Sequence, residues 1–156
     1  MKQLLFESTT PSTLEHVREL RHSLTSVLSY CVVDEQLQQT ILICLSESIT
    51  NLVQHNNTCS LEIVFSQNSH RWNLEIRDRG DAWDPSLTRH EHQLNEMTTQ
   101  EGQRGVALIH ALCKQISYRS DKETNSLSLS WPIASNNGKP QLLIVEDDAS
   151  LRRLYS

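Results

Sequence analysis

The chain has 156 residues, enough for one domain with its own core and no need of a metal or disulfide to hold it together. Apolar residues make up 37% and charged residues 21%, which excludes a disordered or fibrous chain, and no apolar run reaches the ~18 residues of a membrane span. The formal net charge of −5 argues against non-specific nucleic-acid binding, which needs a basic surface.

Residues 2–8 (KQLLFES) read as a short first strand. Thr10-Pro11-Ser12-Thr13 then carries a helix start, with a hydroxyl cap and Glu15 in the first turn. Leu14, Val17, Leu20, Leu24, Val27 and Leu28 recur at helical spacing, which predicts an amphipathic helix over 13–29. Asp34 caps a second helix with a buried stripe of Leu37, Ile41, Leu45, Ile49, Leu52 and Val53. It runs to His55 and ends at Asn56-Asn57. Ser60–Ser66 and Trp72–Arg77 alternate apolar and polar residues around Gln67–His70, a hairpin pattern.

A polar, loop-like stretch follows from Asp78 to Arg104, and within it His90-Glu91-His92 reads as solvated loop. Gly105–Lys114 returns to helical spacing. Ile116–Arg119 and Leu127–Trp131 predict two strands around a polar turn at Ser120–Asn125. The order is strand, two helices, hairpin, long loop, helix, hairpin. It predicts an α+β fold, a two-layer sandwich with helices on one face of a mixed, mostly antiparallel sheet. Residues 1–134 form this domain, 135–140 (SNNGKP) have linker composition, and 141–156 follow as a separate piece. Cys31, Cys44, Cys59 and Cys113 make no CxxC pair, and the histidines do not join them at zinc-finger spacing. Nothing else looks secreted, so the expectation is a cytoplasmic protein with reduced thiols.

Three stretches carry candidate chemistry. Glu47 and Asn51 lie four residues apart and so share a face of the second helix, with His55 one turn further on. A carboxylate and an amide there can act as a base and a metal ligand, or form a polar stripe at the core's edge. Asp78-Arg79-Gly80 follows a strand. An aspartate at a strand end can accept a hydrogen bond from a buried ligand amine, and a glycine two residues on lets a flat ligand approach the backbone. The alternative is a plain acidic turn. Gly102-Gln103-Arg104-Gly105 precedes a helix, where free N–H groups bind anions such as phosphate, or where the glycines act as a hinge.

In this order and spacing the three stretches resemble the N, G1 and G2 boxes of the GHKL ATPase/kinase superfamily. Residues 45–55 (LSESITNLVQH) look most like the anti-sigma-factor serine/threonine kinase branch, which typically reads Glu-Ala-x-x-Asn-Ala-x-x-His in this box. The resemblance covers residues 1–133 and implies the Bergerat ATP-binding fold, ATP and Mg²⁺ as cofactors, and phosphoryl transfer to a Ser or Thr. The implied partner is a regulatory protein, an anti-sigma-factor antagonist or a sigma factor, and a homodimer is the implied assembly. Neither nucleic acid nor a membrane is an expected partner.

By this resemblance Glu47 is the general base and Asn51 ligates Mg²⁺. Asp78 holds the adenine amino group, and Gly80 lets the base sit against the backbone. Gly102 and Gly105 cradle phosphates with Arg104 as a charge partner, and residues 86–103 form a lid over ATP. Asn125 or Ser126 stands where the family usually has a Thr near the adenine. The sequence departs from the pattern at Gln103 and Val106, often Gly and Leu, and at Asn125. Those departures bear on nucleotide affinity and turnover. One alternative is a non-catalytic module that sequesters a sigma factor or antagonist, with nucleotide as an ordering ligand. The other is a histidine-kinase catalytic domain. His16 and His22 lie on the first helix, but EHVRELRHSL lacks the acidic-then-Pro context of a phospho-acceptor.

Residues 139–156 (KPQLLIVEDDASLRRLYS) resemble the opening of a response-regulator receiver domain. They would supply its first strand, the acidic pair Glu146 and Asp147, and the start of its first helix, capped by Asp148 or Ser150. The expectation is a piece of a longer protein in which a receiver couples the first domain to two-component signalling.

Overall fold

The structure, a computed structural model, describes residues 1–55, 57–87, 100–134, 142–147 and 150–155. The elements in chain order are β1 (Gln3–Pro11), α1 (Leu14–Tyr30), α2 (Glu35–His55), β2 (Ser60–Gln67), β3 (Arg71–Asp78), α3 (Gln100–Leu112), β4 (Gln115–Ser120), β5 (Asn125–Pro132), β6 (Leu142–Asp147) and β7 (Ser150–Tyr155). Among the described residues no helix is long and apolar enough to cross a membrane.

Local chemistry sets the boundaries. Thr13 caps α1 with extended backbone but without a side-chain cap bond; its hydroxyl pairs instead with His16 Nδ1 at 2.5 Å. The Ser12 hydroxyl donates to the Thr58 carbonyl, tying the start of α1 to the chain entering β2. Asp34 starts α2 as its sequence predicts, its carboxylate accepting from the Gln36 N–H at 3.0 Å. The β2–β3 turn is closed by Asn68, whose Oδ1 accepts from the N–H groups of His70 and Arg71.

β1–β5 form one sheet in the order β1-β2-β3-β5-β4, with every neighbouring pair antiparallel. The helices cover one face, as expected. Leu61, Ile63 and Phe65 of β2, Trp72, Leu74 and Ile76 of β3, and Leu127, Leu129 and Trp131 of β5 are buried on that face with Leu20, Leu24, Ile41, Leu45, Ile49 and Ile109 from the helices. Trp72 and Trp131 stand opposite each other in register, and the Trp131 indole donates to the Leu112 carbonyl, anchoring the end of α3. The other face is polar. There Arg77 binds Glu75 at 2.8 Å and Glu62 at 3.1 Å. Burial pushes the Glu75 carboxyl up. Hydrogen bonds from Arg77 and Ser126, with the charges of Arg77 and Lys2, outweigh that and hold it below the ordinary range.

Two expectations are corrected. α3 starts at Gln100, five residues before the predicted Gly105, so both glycines lie inside the helix. Helical glycine costs about 1 kcal/mol relative to alanine. Burial of Val106 and Ile109 against the core accompanies the longer helix. Of the expected lid, 88–99 lie outside the described residues, as do His90–His92 and the linker 135–140, while 100–103 are helical. Ser150–Tyr155 is a strand where the sequence predicts a helix start. It pairs antiparallel with β6, Asp147 opposite Ser150, and β6 lies beside β1. So short a segment pays the full cost of helix nucleation, whereas a ladder with β6 satisfies its backbone directly.

Candidate functional site

Glu47 and Asn51 stand one turn apart on α2, where that helix meets α3. Glu47 is half-buried and Asn51 is 2% exposed. Gly105, buried in the second turn of α3, faces both. A β-carbon there would lie 2.6 Å from Glu47 Oε2 and 3.2 Å from Asn51 Nδ2. The two helices approach this closely because residue 105 has no side chain. Asn51 Nδ2 is buried without a hydrogen-bond partner among the described residues. An orphaned buried donor costs about 1–3 kcal/mol, so its place beside a carboxylate marks a position where a ligand or water belongs.

The start of α3 modifies the expected phosphate cradle. Gly102 is the third residue of the helix, so its N–H is among those left without an intrahelical acceptor. The Gly105 N–H is committed to the helix ladder instead. Gly105 therefore admits the Glu47 carboxylate rather than presenting a free amide. Arg104, its neighbour on α3, is exposed.

A second polar cluster sits at the end of β3. Asp78 is 4% exposed, and its Oδ1 accepts from the Gly80 N–H at 2.8 Å and from Asn125 Nδ2 at 2.9 Å. Asn125, equally buried, lies directly opposite Asp78 in the β3–β5 register. Its other amide proton goes to the Gly80 carbonyl at 2.9 Å, and its Oδ1 accepts from the Ser120 hydroxyl at 2.7 Å. Asp78, Gly80 and Asn125 thus lie together in one hydrogen-bonded cluster.

Ser126 is a correction. Side chains alternate along a strand, so the residue after Asn125 faces the opposite side of the sheet, where its hydroxyl donates to Glu75 at 2.9 Å. Ser126 does not reach the Asp78 cluster.

Four further residues shape the site and carry no motif. Asn57, just past α2, donates to Asp81 Oδ2 at 3.2 Å, tying the Glu47–Asn51 helix to the loop after Asp78. The Tyr118 hydroxyl accepts from the Trp83 N–H at 2.9 Å, and burial pushes its phenol up. His110 Nε2 lies 2.8 Å from the Pro85 carbonyl and 3.1 Å from that of Leu87, fixing the loop against α3. Ser120 could be found from sequence only through register, since it pairs with Asn125 across the β4–β5 turn.

A family profile described as histidine kinase-like ATPase domain matches residues 10–131. No curated protein matches the chain. Among solved structures, the SiaB–SiaC complex from Pseudomonas aeruginosa is similar at a TM-score of 0.58 and 12% identity, covering 83% of this chain and 90% of that one. The RsbU and RsbW domains of Rv1364c from Mycobacterium tuberculosis are similar at 0.53 and 16%, covering 80% of this chain and 31% of that one. The Acinetobacter baumannii histidine kinase AdeS is similar at 0.49 and 22%, covering 85% of this chain and 69% of that one. At these identities the likeness to the first two is one of fold.

Proposed function

The chain belongs to the histidine kinase-like ATPase domain family, and on that premise we propose that it binds Mg²⁺-ATP and phosphorylates a serine or threonine of a small regulatory protein. The observation that carries this reading is the meeting of the Glu47 carboxylate and the buried Asn51 side chain, one turn apart on α2, at Gly105. An amide oxygen is a hard donor of the kind magnesium accepts, and magnesium takes few protein ligands. Asn51 would hold the ion. Bound there, Mg²⁺ supplies charge neutralisation between phosphates.

The protein's own groups do the rest. Glu47 would take the proton of an attacking hydroxyl as general base. Asp78 offers an acceptor to the amino group of adenine, with Gly80 leaving room against the backbone. The Gly102 N–H and Arg104 address phosphate charge. Phosphoryl transfer needs positioning and charge stabilisation more than covalent chemistry, and this set provides both.

Two structural neighbours support a protein partner. One is a complex with a second protein, SiaC, and the other joins an RsbW domain to an RsbU domain. A small regulatory partner, an anti-sigma-factor antagonist or a sigma factor, is the proposal for this chain. The resemblance of 139–156 to a receiver's opening adds that, in a longer protein, a receiver would couple this domain to two-component signalling.

A second reading has one observation in its favour. The Gly105 N–H lies inside α3, which leaves one free amide fewer for phosphate. A nucleotide-ordered module that sequesters its partner needs no turnover. The test incubates the wild-type chain and Glu47→Gln with labelled ATP, Mg²⁺ and a purified antagonist protein. Acid-stable label on the antagonist, lost in Glu47→Gln while the two proteins still associate, supports the kinase. Association without label in the wild type overturns it and leaves sequestration.

A further inference from the structure

We infer that Asn125 is a positioning residue, not a ligand-reading one. Its amide holds the Asp78 carboxylate and the Gly80 carbonyl in the geometry that selects an amine-bearing purine. This role rests on the nucleotide-binding reading above.

Both amide protons of Asn125 are spent inside the protein, and its oxygen accepts from the protein as well. One amide proton goes to Asp78 Oδ1 and the other to the Gly80 carbonyl, both at 2.9 Å. Oδ1 receives the Ser120 hydroxyl at 2.7 Å. These partners fix which way the amide points. Turned over, its oxygen would meet a carboxylate oxygen and a carbonyl oxygen with no proton between them. A threonine hydroxyl has one proton and could serve only one of the two acceptors; the amide serves both. Asn125 and Asp78 are each 4% exposed, so solvent offers little replacement.

The consequence is selectivity. The amide can only donate toward Asp78, so it holds the carboxylate as an acceptor in one orientation. A base presenting an amine satisfies that acceptor. A base presenting a carbonyl at the same position sets oxygen against oxygen, and the mismatch costs affinity. The same hairpin pins the loop a second time, where Tyr118 accepts from the Trp83 N–H. Asp78, Gly80 and Trp83 are thus all held from β4 and β5.

The test titrates ADP and GDP, each with Mg²⁺, into the wild type, Asn125→Ala, Asn125→Thr and Asn125→Asp, with thermal melts of each ligand-free protein to confirm folding. The wild type is expected to prefer ADP. Asn125→Ala is expected to lose about tenfold in ADP affinity, the equivalent of one buried hydrogen-bond partner, and to narrow the ADP/GDP preference. Asn125→Thr is expected to recover part of both. In Asn125→Asp a second carboxylate beside Asp78 must keep a proton to make the same bond. Its ADP dissociation constant relative to the wild type's is therefore expected to rise between about pH 5.5 and about pH 8, a pH signature that a merely structural role does not give.

ADP affinity and ADP/GDP preference within about twofold of wild type in a folded Asn125→Ala overturn the inference. If Asn125→Ala does not fold, a pH-independent Asn125→Asp ratio overturns it in the same way. A wild type that binds neither nucleotide overturns the nucleotide-binding reading itself, a result distinct from both.

Discussion

A β-carbon at residue 105 would stand 2.6 Å from Oε2 of Glu47, so α3 and the Glu47 carboxylate share their space only because that residue is glycine. Gly105→Ala sets two effects against each other. Alanine is favoured in a helix interior by about 1 kcal/mol. The added methyl displaces the carboxylate, which is the far end of a flexible side chain and moves without unfolding the core. The melting temperature is therefore expected to change by less than about 4 °C. Phosphoryl transfer is expected to fall by at least about a hundredfold, because a displaced general base forfeits its contribution. Melting and turnover measured on one preparation check this; unchanged turnover would show that the Glu47–Gly105 contact is irrelevant to the chemistry.

Ser48 neighbours the site and works against stability. It is fully buried on α2, and its hydroxyl has no partner among the described residues. Ser48→Ala removes an unsatisfied donor and gains helix propensity, so it is expected to stabilise by about 1 kcal/mol. That corresponds to about 2–4 °C in melting temperature for a chain of this size. A destabilised variant would mean that the hydroxyl is paired in solution.

Val32 stores strain in the α1–α2 turn. Its φ of 56° is the left-handed region, which a β-branched side chain resists, and its side chain is 71% exposed, so little packing repays the cost. The Val33 N–H reaches back to the Leu28 carbonyl, the bond of a turn that usually has glycine at this place. Val32→Gly is expected to raise the unfolding free energy by about 0.5–1 kcal/mol, the left-handed penalty less the entropy of an added glycine. Urea denaturation measures it, and a lower midpoint with unchanged slope would refute it.

Alkaline pH should loosen the core through its thiols. Burial pushes the Cys31 thiol up to about 11. Burial, with added repulsion from Cys113 and Glu47, pushes Cys44 up to about 12. In the unfolded chain a thiol titrates near 9.0. The folded state therefore holds these protons more tightly. Their stabilising contribution is whole below about pH 9 and is lost as pH climbs through about 11 and 12. The urea midpoint is expected to fall above about pH 9, and less steeply in Cys44→Ala. Parallel profiles for the two proteins would assign alkaline lability to other groups.

Periodicity made α1, α2 and the β2–β3 hairpin legible, because each buries one face and repeats its apolar residues at the matching spacing. Asp78 and Gly80 were legible because a strand end followed by Asp-x-Gly is a local pattern. The start of α3 was not, since Gly102 and Gly105 read locally as breakers and the packing around them outweighs that. Ser126 was misplaced by one residue of strand alternation, a shift that moves a side chain through the whole sheet. The contacts of Gly105 with Glu47 and of Ser120 with Asn125 arise only when distant elements meet, and no spacing in the sequence announces them.

Calorimetric titration of ADP with Mg²⁺ into the wild type and Asp78→Asn tests the central claim most directly. Asp78 accepts from Gly80 and Asn125 at one end of the site, and an amide in its place puts an N–H donor where an acceptor is required. Micromolar binding by the wild type, weakened at least about a hundredfold in a folded Asp78→Asn, is the result this account expects. Equal binding by the two proteins, or none by the wild type, would contradict it.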